Sequence, residues 1–174
     1  MADLHIKVVH DKSVDEYITK YHYLHSAGIA PVIRMWFIRG DFEQFIDTNK
    51  KLGAMIWGNA VSRYLNDYNE NKILELRRMY FIDDTEKNIE SKALAMARRY
   101  IRKQHPHIKG IISYSSTGEG HEGTIYSADN WFVVSSFKSN GSHGGAWSRD
   151  NADNKHKKII DRDNSRKICW ARSP

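Results

Sequence analysis

The stretch from Leu74 to Phe132 constrains the fold more than any other part of the chain. With Ile73 it reads ILELRRMYFIDDTEKNIESKALAMARRYIRK and, a few residues on, IKGIISYSSTGEGHEGTIYSADNWF. Hydrophobic period resolves this into a strand, a polar loop, a basic helix, a second strand, a Gly-rich turn and a short helix ending in an aromatic strand. That order is the core of an α/β fold. The residues at its turns suit chemistry better than packing.

The whole chain, 174 residues, is long enough for one well-buried core and too short for two ordinary domains, so residues 1–174 are expected to form a single domain. Its apolar content of 40% and mean hydropathy of −0.65 are those of a soluble protein. No apolar run approaches the roughly 20 residues needed to cross a bilayer, and no membrane association is expected. The N-terminal MADLHIKVVHDKSVDEY carries charges where a signal peptide needs an apolar core. The lone Cys169 cannot form an intrachain disulfide, which fits a reducing, cytoplasmic setting.

A net charge of +6 and a pI near 9.3 favour a polyanionic partner. Lys92, Arg98, Arg99, Arg102 and Lys103 crowd one helix, and the tail holds Lys155, Lys157 and Lys158 within a run reaching Lys167. Such charges release counterions from phosphates, although a solvated helix face and tail would have the same composition.

Punctuation gives the remaining elements. His5 to Val9 reads as a strand, and Ser13-Val14-Asp15-Glu16 as a capping box opening a helix to about Lys20. Pro31 to Ile38 and Leu52 to Asn59 look like an antiparallel pair, and Ser62 to Asn71 like a polar connection. Ile73 to Ile82 is the next strand. Ser91 to Gln104 is the main helix, with Leu94, Ala97 and Ile101 on its inner face and Pro106 beyond its end. Ile108 to Ser115 is a buried strand and Arg166 to Trp170 a last one, with a basic, loop-rich C-terminal segment from about residue 139.

Four constellations can carry chemistry. Gly118-Glu119-Gly120-His121-Glu122-Gly123 is a literal G-x-G-x-x-G. The next strand lacks the acidic residue that would hold a ribose, so the glycines read as room for a close approach. The loop Asp83 to Ser91 leads into a helix N-terminus, where orphan N–H groups either take an anion or are capped by Asn88 or Ser91. Tyr21-His22-Tyr23-Leu24-His25 offers aromatic faces for an unpaired base, two imidazoles that with His121 would make a metal triad, or a plain hydrophobic plug. In Glu75-Leu76-Arg77-Arg78, strand alternation puts Arg78 beside apolar Leu76, where it is partly buried and needs an anionic partner or a substrate.

Together these segments resemble the phage Mom-type DNA adenine modification proteins, a family within the GNAT acyltransferase fold. The resemblance runs from about Tyr21 to Phe137. It rests on His22-Tyr23-Leu24, Leu74-Glu75-Leu76-Arg77-Arg78, Asn88 with Glu90-Ser91, Ser113-Tyr114, and Gly120-His121-x-Gly123-x-Ile125-Tyr126-x-Ala128.

The resemblance implies an α/β (α+β) protein with a GNAT-like mixed central sheet of about six or seven strands flanked by helices. It implies an enzyme that moves an acyl-derived group, of carbamoylmethyl or methylcarbamoyl type, onto the N6 amine of adenine in DNA. Such a mark protects phage DNA from host restriction, and the setting is the cytoplasm of an infected host cell. The donor is acetyl-CoA or another activated acyl compound, at Lys87, Asn88, Glu90 and Ser91. Arg78, Tyr126, Ser116, His22 and Tyr23 are the expected catalytic set, with Tyr126 protonating a leaving thiolate and His22 and Tyr23 in the acceptor pocket. Lys92, Arg98, Arg99, Arg102, His121, Lys155, Lys157 and Lys158 are the expected DNA contacts, and no metal is expected.

Two departures stand out. Relatives tend to carry Asp at the position of Ser116, leaving Glu119 or Asp129 as replacements, and Lys87-Asn88-Ile89-Glu90-Ser91 has none of the glycines of the usual pyrophosphate loop. An acyltransferase acting on a protein, small-molecule or tRNA amine, a non-catalytic DNA-binding relative, and a metal-assisted enzyme are the rival readings.

Overall fold

In the computed structural model, residues 4–28, 30–40, 51–60, 72–117, 120–138 and 166–174 are described. The period-two runs become the strands β1 (Leu4–Val9), β2 (Pro31–Arg39), β3 (Lys51–Asn59), β4 (Ile73–Phe81), β5 (Gly110–Ser116), β6 (Phe132–Lys138) and β7 (Arg166–Arg172). Helices α1 (Ser13–Tyr21), α2 (Ile89–Gln104) and α3 (Thr124–Ala128) complete the order. The expected connection Ser62–Asn71 and the loop-like segment Ser139–Asn154 lie outside the described residues, as do Lys155, Lys157, Lys158 and Glu119.

The strands form one mixed sheet in the order β1-β2-β3-β4-β5-β7-β6. Neighbours are antiparallel except β4 and β5, which run parallel because α2 carries the chain back between them. Helix α2 buries Ile89, Ala93, Leu94, Ala97 and Ile101 at helical spacing. They pack with Met35, Phe37, Met55, Trp57, Leu74 and Leu76 of the sheet, and each full-sized apolar side chain so buried contributes about 1.5–3 kcal/mol. On the opposite face, Val14 and Ile18 of α1 meet Trp36, Ile38, Ala54 and Ile56.

The capping box forms differently from the sequence reading. Ser13 is already helical and Lys12 is the N-cap, with no side-chain cap bond. Asp11 instead accepts the Ser13 N–H at 2.8 Å. Ser13 Oγ accepts from Trp36 Nε1 at 3.2 Å, and Asp15 accepts from Nε and Nη2 of Arg34 at 2.7 and 2.9 Å. The residues that spelled a cap fasten α1 to β2.

Two irregularities of β4 shape everything that follows. Ile56 of β3 pairs with Arg78 while its neighbour Trp57 pairs with Leu76, so Arg77 is the extra residue of a β-bulge. The simple alternation of the sequence reading therefore breaks. Leu76 follows Trp57 onto the α2 face, and Arg78 follows Ile56 onto the α1 face, where Glu75 also lies opposite Gly58. Gly58 has no Cβ because the Arg77 side chain lies where one would be. The second irregularity is that β4 pairs with β5 only from Ile73–Gly110 to Leu76–Ser113. Beyond that register β5 continues against β7 alone, and the sheet opens between its two parallel strands.

Candidate active site

The opening is bordered on the α2 face by Tyr126, whose ring is buried between Trp131 and Trp170, at centroid distances of 5.3 and 5.7 Å. Its hydroxyl is 2.8 Å from Ser113 Oγ, which donates to the Leu76 carbonyl at 3.3 Å, where the β4–β5 pairing ends. Burial pushes the Tyr126 phenol up to about 12, opposed by the Ser113 hydrogen bond and assisted by Tyr23 and Glu90. It keeps its proton across the ordinary pH range. Gly123, at φ +84° just before α3, makes this packing possible, since a Cβ there would run into the Trp170 indole. The room read from the glycine motif is thus filled by a side chain of β7.

From the α1 face comes the turn after α1. The His25 N–H donates to the His22 carbonyl at 2.8 Å, with His25 itself in the left-handed region. This projects Tyr23 from the turn, half exposed, with its ring 4.4 Å from His22 and 5.4 Å from His121. His22 is buried, and its pKa falls to about 3 because burial disfavours the imidazolium and Arg78, His121 and His25 add positive charge. Arg78 is buried too. Its Nε donates to the Ser26 carbonyl at 2.8 Å and its Nη1 to the Arg77 carbonyl at 2.6 Å. Burial lowers its pKa, while Tyr23 and Glu75 act to raise it.

Five residues singled out from the sequence thus gather at one place: His22, Tyr23, Arg78 and His121 from one face, and Tyr126 reached from the other. Ser116 is at the edge of this group. It alternates away from Ser113 and Ser115, which face Tyr126 and Trp170, and its carbonyl accepts the His121 N–H at 3.1 Å. Ser113 is the residue that sequence reasoning placed in a motif without a role; counting alternate residues from buried Ile111 would have put it on the Tyr126 face.

The loop before α2 sits next to the opening, since Glu90 is near enough to act on Tyr126. Asn88 is left-handed at φ 67° and no side chain caps the helix; Ser91 Oγ donates to the Asn88 carbonyl at 3.0 Å. The Ile89 N–H goes to the Glu86 carbonyl at 3.2 Å, and among the described residues no side chain accepts from Glu90 or Ser91, the arrangement an anion would use. Lys87 is exposed, whereas Lys92 is held by Glu86 at 3.1 Å.

The basic helix does not present one uniform face. Arg98 is turned inward, bidentate on buried Asp129 at 2.7 and 2.8 Å, and Asp129 also accepts from Trp131 Nε1 at 2.8 Å. Asp129 is thereby committed to the fold and does not stand in at the Ser116 position. Arg99 and Arg102 are exposed, on a helix that covers the face of the sheet opposite the His22 turn. Among the described residues, no group of three His, Cys, Asp or Glu converges as a metal site, and no helix is long and apolar enough to cross a membrane.

Comparison with known proteins bears on this geometry in two ways. The fold is that of the GNAT acetyltransferases. The structure is similar over 99% of its length to an IAA acetyltransferase from Bacillus cereus (TM-score 0.60, 10% identity, all of that chain covered) and to a Bacillus subtilis acetyltransferase solved with CoA (TM-score 0.60, 9% identity, 99% of that chain covered). In sequence, 93 residues are 29% identical to the methylcarbamoylase Mom of Escherichia phage Mu, covering 51% of this chain and 39% of that protein. The chain thus aligns with about two fifths of the length of this curated relative. Residues 3–173 match the Mom protein family model, so the chain belongs to the Mom protein family.

Proposed function

We propose that the protein is a transferase that places an acyl-derived group, of carbamoylmethyl or methylcarbamoyl type, on the N6 amine of adenine in DNA, a mark that protects phage DNA from restriction. The observation that carries this reading is the meeting of a protonated, buried Tyr126 with the His22–Tyr23 turn and Arg78 across the β4–β5 opening. Membership of the Mom family and the methylcarbamoylase of phage Mu support the kind of group transferred.

The residues at the opening fit an acyl thioester such as acetyl-CoA, which would supply an activated carbonyl. The unpaired segment of β4 and the N-terminal N–H groups of α2 at Glu90 and Ser91 are the groups that would hold it. Asp83, Asp84 and Glu86 make this loop less cationic than a pyrophosphate site ordinarily is.

The chain's own residues have distinct tasks. With the Ser113 hydrogen given to the Leu76 carbonyl, the Tyr126 O–H donates to Ser113 Oγ and would turn from it to protonate a leaving atom. Arg78 brings a positive charge that is itself buried, so that it acts on developing negative charge more strongly than in solution. Tyr23 presents a ring on which a base drawn out of the duplex can stack, offsetting part of the few kcal/mol of unstacking. General acid and base groups of this kind give about 100-fold to 10,000-fold each.

The test is nucleoside mass spectrometry on DNA from cells expressing the protein. A new mass on deoxyadenosine is expected, and its increment identifies the group transferred. Unmodified nucleosides from well-expressed protein would turn the reading towards a different amine acceptor.

A further inference from the structure

His22 has a defined tautomer, and this limits what it can do. The residue is 7% exposed and its ring lies under Tyr23, with Arg78, His121 and His25 near enough to act on it electrostatically. The main-chain N–H of Leu24 points at Nδ1 from 3.1 Å. An amide N–H only donates, so Nδ1 must present its lone pair. The buried ring is neutral, so its single proton is on Nε2. Among the described residues, Leu24 is the one hydrogen-bond partner of this ring. A metal at Nε2 would require the opposite tautomer, with Nδ1–H donating, and the Leu24 N–H forbids it.

We propose that His22 is a neutral hydrogen-bond donor whose Nε2–H holds a ring nitrogen of the acceptor base beside Arg78. The proposal rests on the adenine reading above and says which atoms of the acceptor are recognised. The chemistry suits it: the exocyclic amine of adenine is a poor nucleophile because its lone pair is delocalised into the ring. As that amine loses a proton, negative charge moves onto the ring nitrogens, and a fixed donor there stabilises it without a protonation step of its own. The group that removes the amine proton is then a different one. An amine with no neighbouring ring nitrogen would forgo this contact.

The experiment uses oligonucleotides with adenine, 1-deazaadenine, 3-deazaadenine or 7-deazaadenine at the modified position, in an extract of the expressing cells as the source of donor. Wild type, His22→Gln and His22→Asn are compared, with thermal unfolding as a control. His22→Gln keeps an N–H near the Nε2 position and should stay within about threefold of wild type. His22→Asn keeps an acceptor near the Nδ1 position but lacks the donor, and should slow about 10- to 100-fold. One deaza base should slow wild type by a similar factor and slow His22→Asn no further. A folded His22→Asn at the wild-type rate, or one that still discriminates all the analogues as wild type does, overturns the proposal. If His22→Asn does not fold, wild type decides alone, and equal rates on all three analogues and adenine overturn it. Wild type inert on adenine itself would sink the acceptor reading, and this proposal with it.

Discussion

Arg98 and Arg78 are both largely withdrawn from solvent, yet the groups that hold them differ. Arg98 meets the carboxylate of Asp129 head-on, with two hydrogen bonds of 2.7 and 2.8 Å, and Trp131 closes the same carboxylate from the side. Arg78 gives its Nε and Nη1 hydrogens to the neutral carbonyls of Ser26 and Arg77, with Glu75 acting from nearby, and burial still holds its pKa below the usual arginine range. A buried cation matched by a bidentate carboxylate has little charge left to offer and serves the fold. Arg78 lies instead beside an opening in the sheet, and the proposed function has it offer its field to a bound substrate there. The first corner fastens α2 to the end of α3, and through Trp131 it supports Tyr126. The second is set by the bulge at Arg77.

Breaking the Arg98 corner should have the largest effect on stability. Asp129→Ala leaves Arg98 and Trp131 Nε1 buried without their acceptor, and a loss of about 3–5 kcal/mol is expected, measured by denaturant unfolding. A loss below about 1 kcal/mol would mean the pair is not the rivet described. Tyr126→Phe sharpens the contrast from the other side. It removes one hydroxyl and the bond to Ser113, so stability should change by about 1 kcal/mol while turnover falls about 100-fold or more. Because the phenol ionises only near pH 12, no loss of wild-type activity from its ionisation is expected at ordinary pH.

The acid limb tests the environment of Arg78 through its neighbour. His22 has a folded pKa of about 3, well below the ordinary 6.5, so the unfolded chain binds the extra proton first. The stability it contributes is present above about pH 6.5 and lost as pH falls towards 3. His22→Gln should flatten that slope in acid unfolding, and an unchanged slope would contradict the burial assigned to the ring. The smallest effect belongs to Lys92, whose bond to Glu86 is partly exposed. Lys92→Ala should cost less than about 1 kcal/mol in thermal unfolding, less still at high salt.

Much of this was legible in the sequence because period and punctuation are local. The antiparallel pair β2–β3, the strand–helix–strand from β4 to β5 and the inner face of α2 follow from residues near one another. His22, Tyr23, Arg78 and Tyr126 were legible only as motifs, since what joins them is the end of pairing at Leu76–Ser113. The face of Arg78 was misread because a bulge depends on the partner strand, here on Gly58 leaving space for the Arg77 side chain. The inward turn of Arg98 was hidden for a similar reason, as its partner Asp129 is a residue of another element. Charge spacing along α2 says which residues are cations and nothing of which one finds a carboxylate.

The most direct test of the central claim measures folding and product on the same preparation of Arg78→Ala. Arg78→Ala should be a cooperatively folded protein, with a melting temperature within several degrees of wild type, that yields no new mass on deoxyadenosine where wild type does. An unfolded variant would assign Arg78 the structural part played by Arg98, and a folded variant with undiminished product would remove it from the active site.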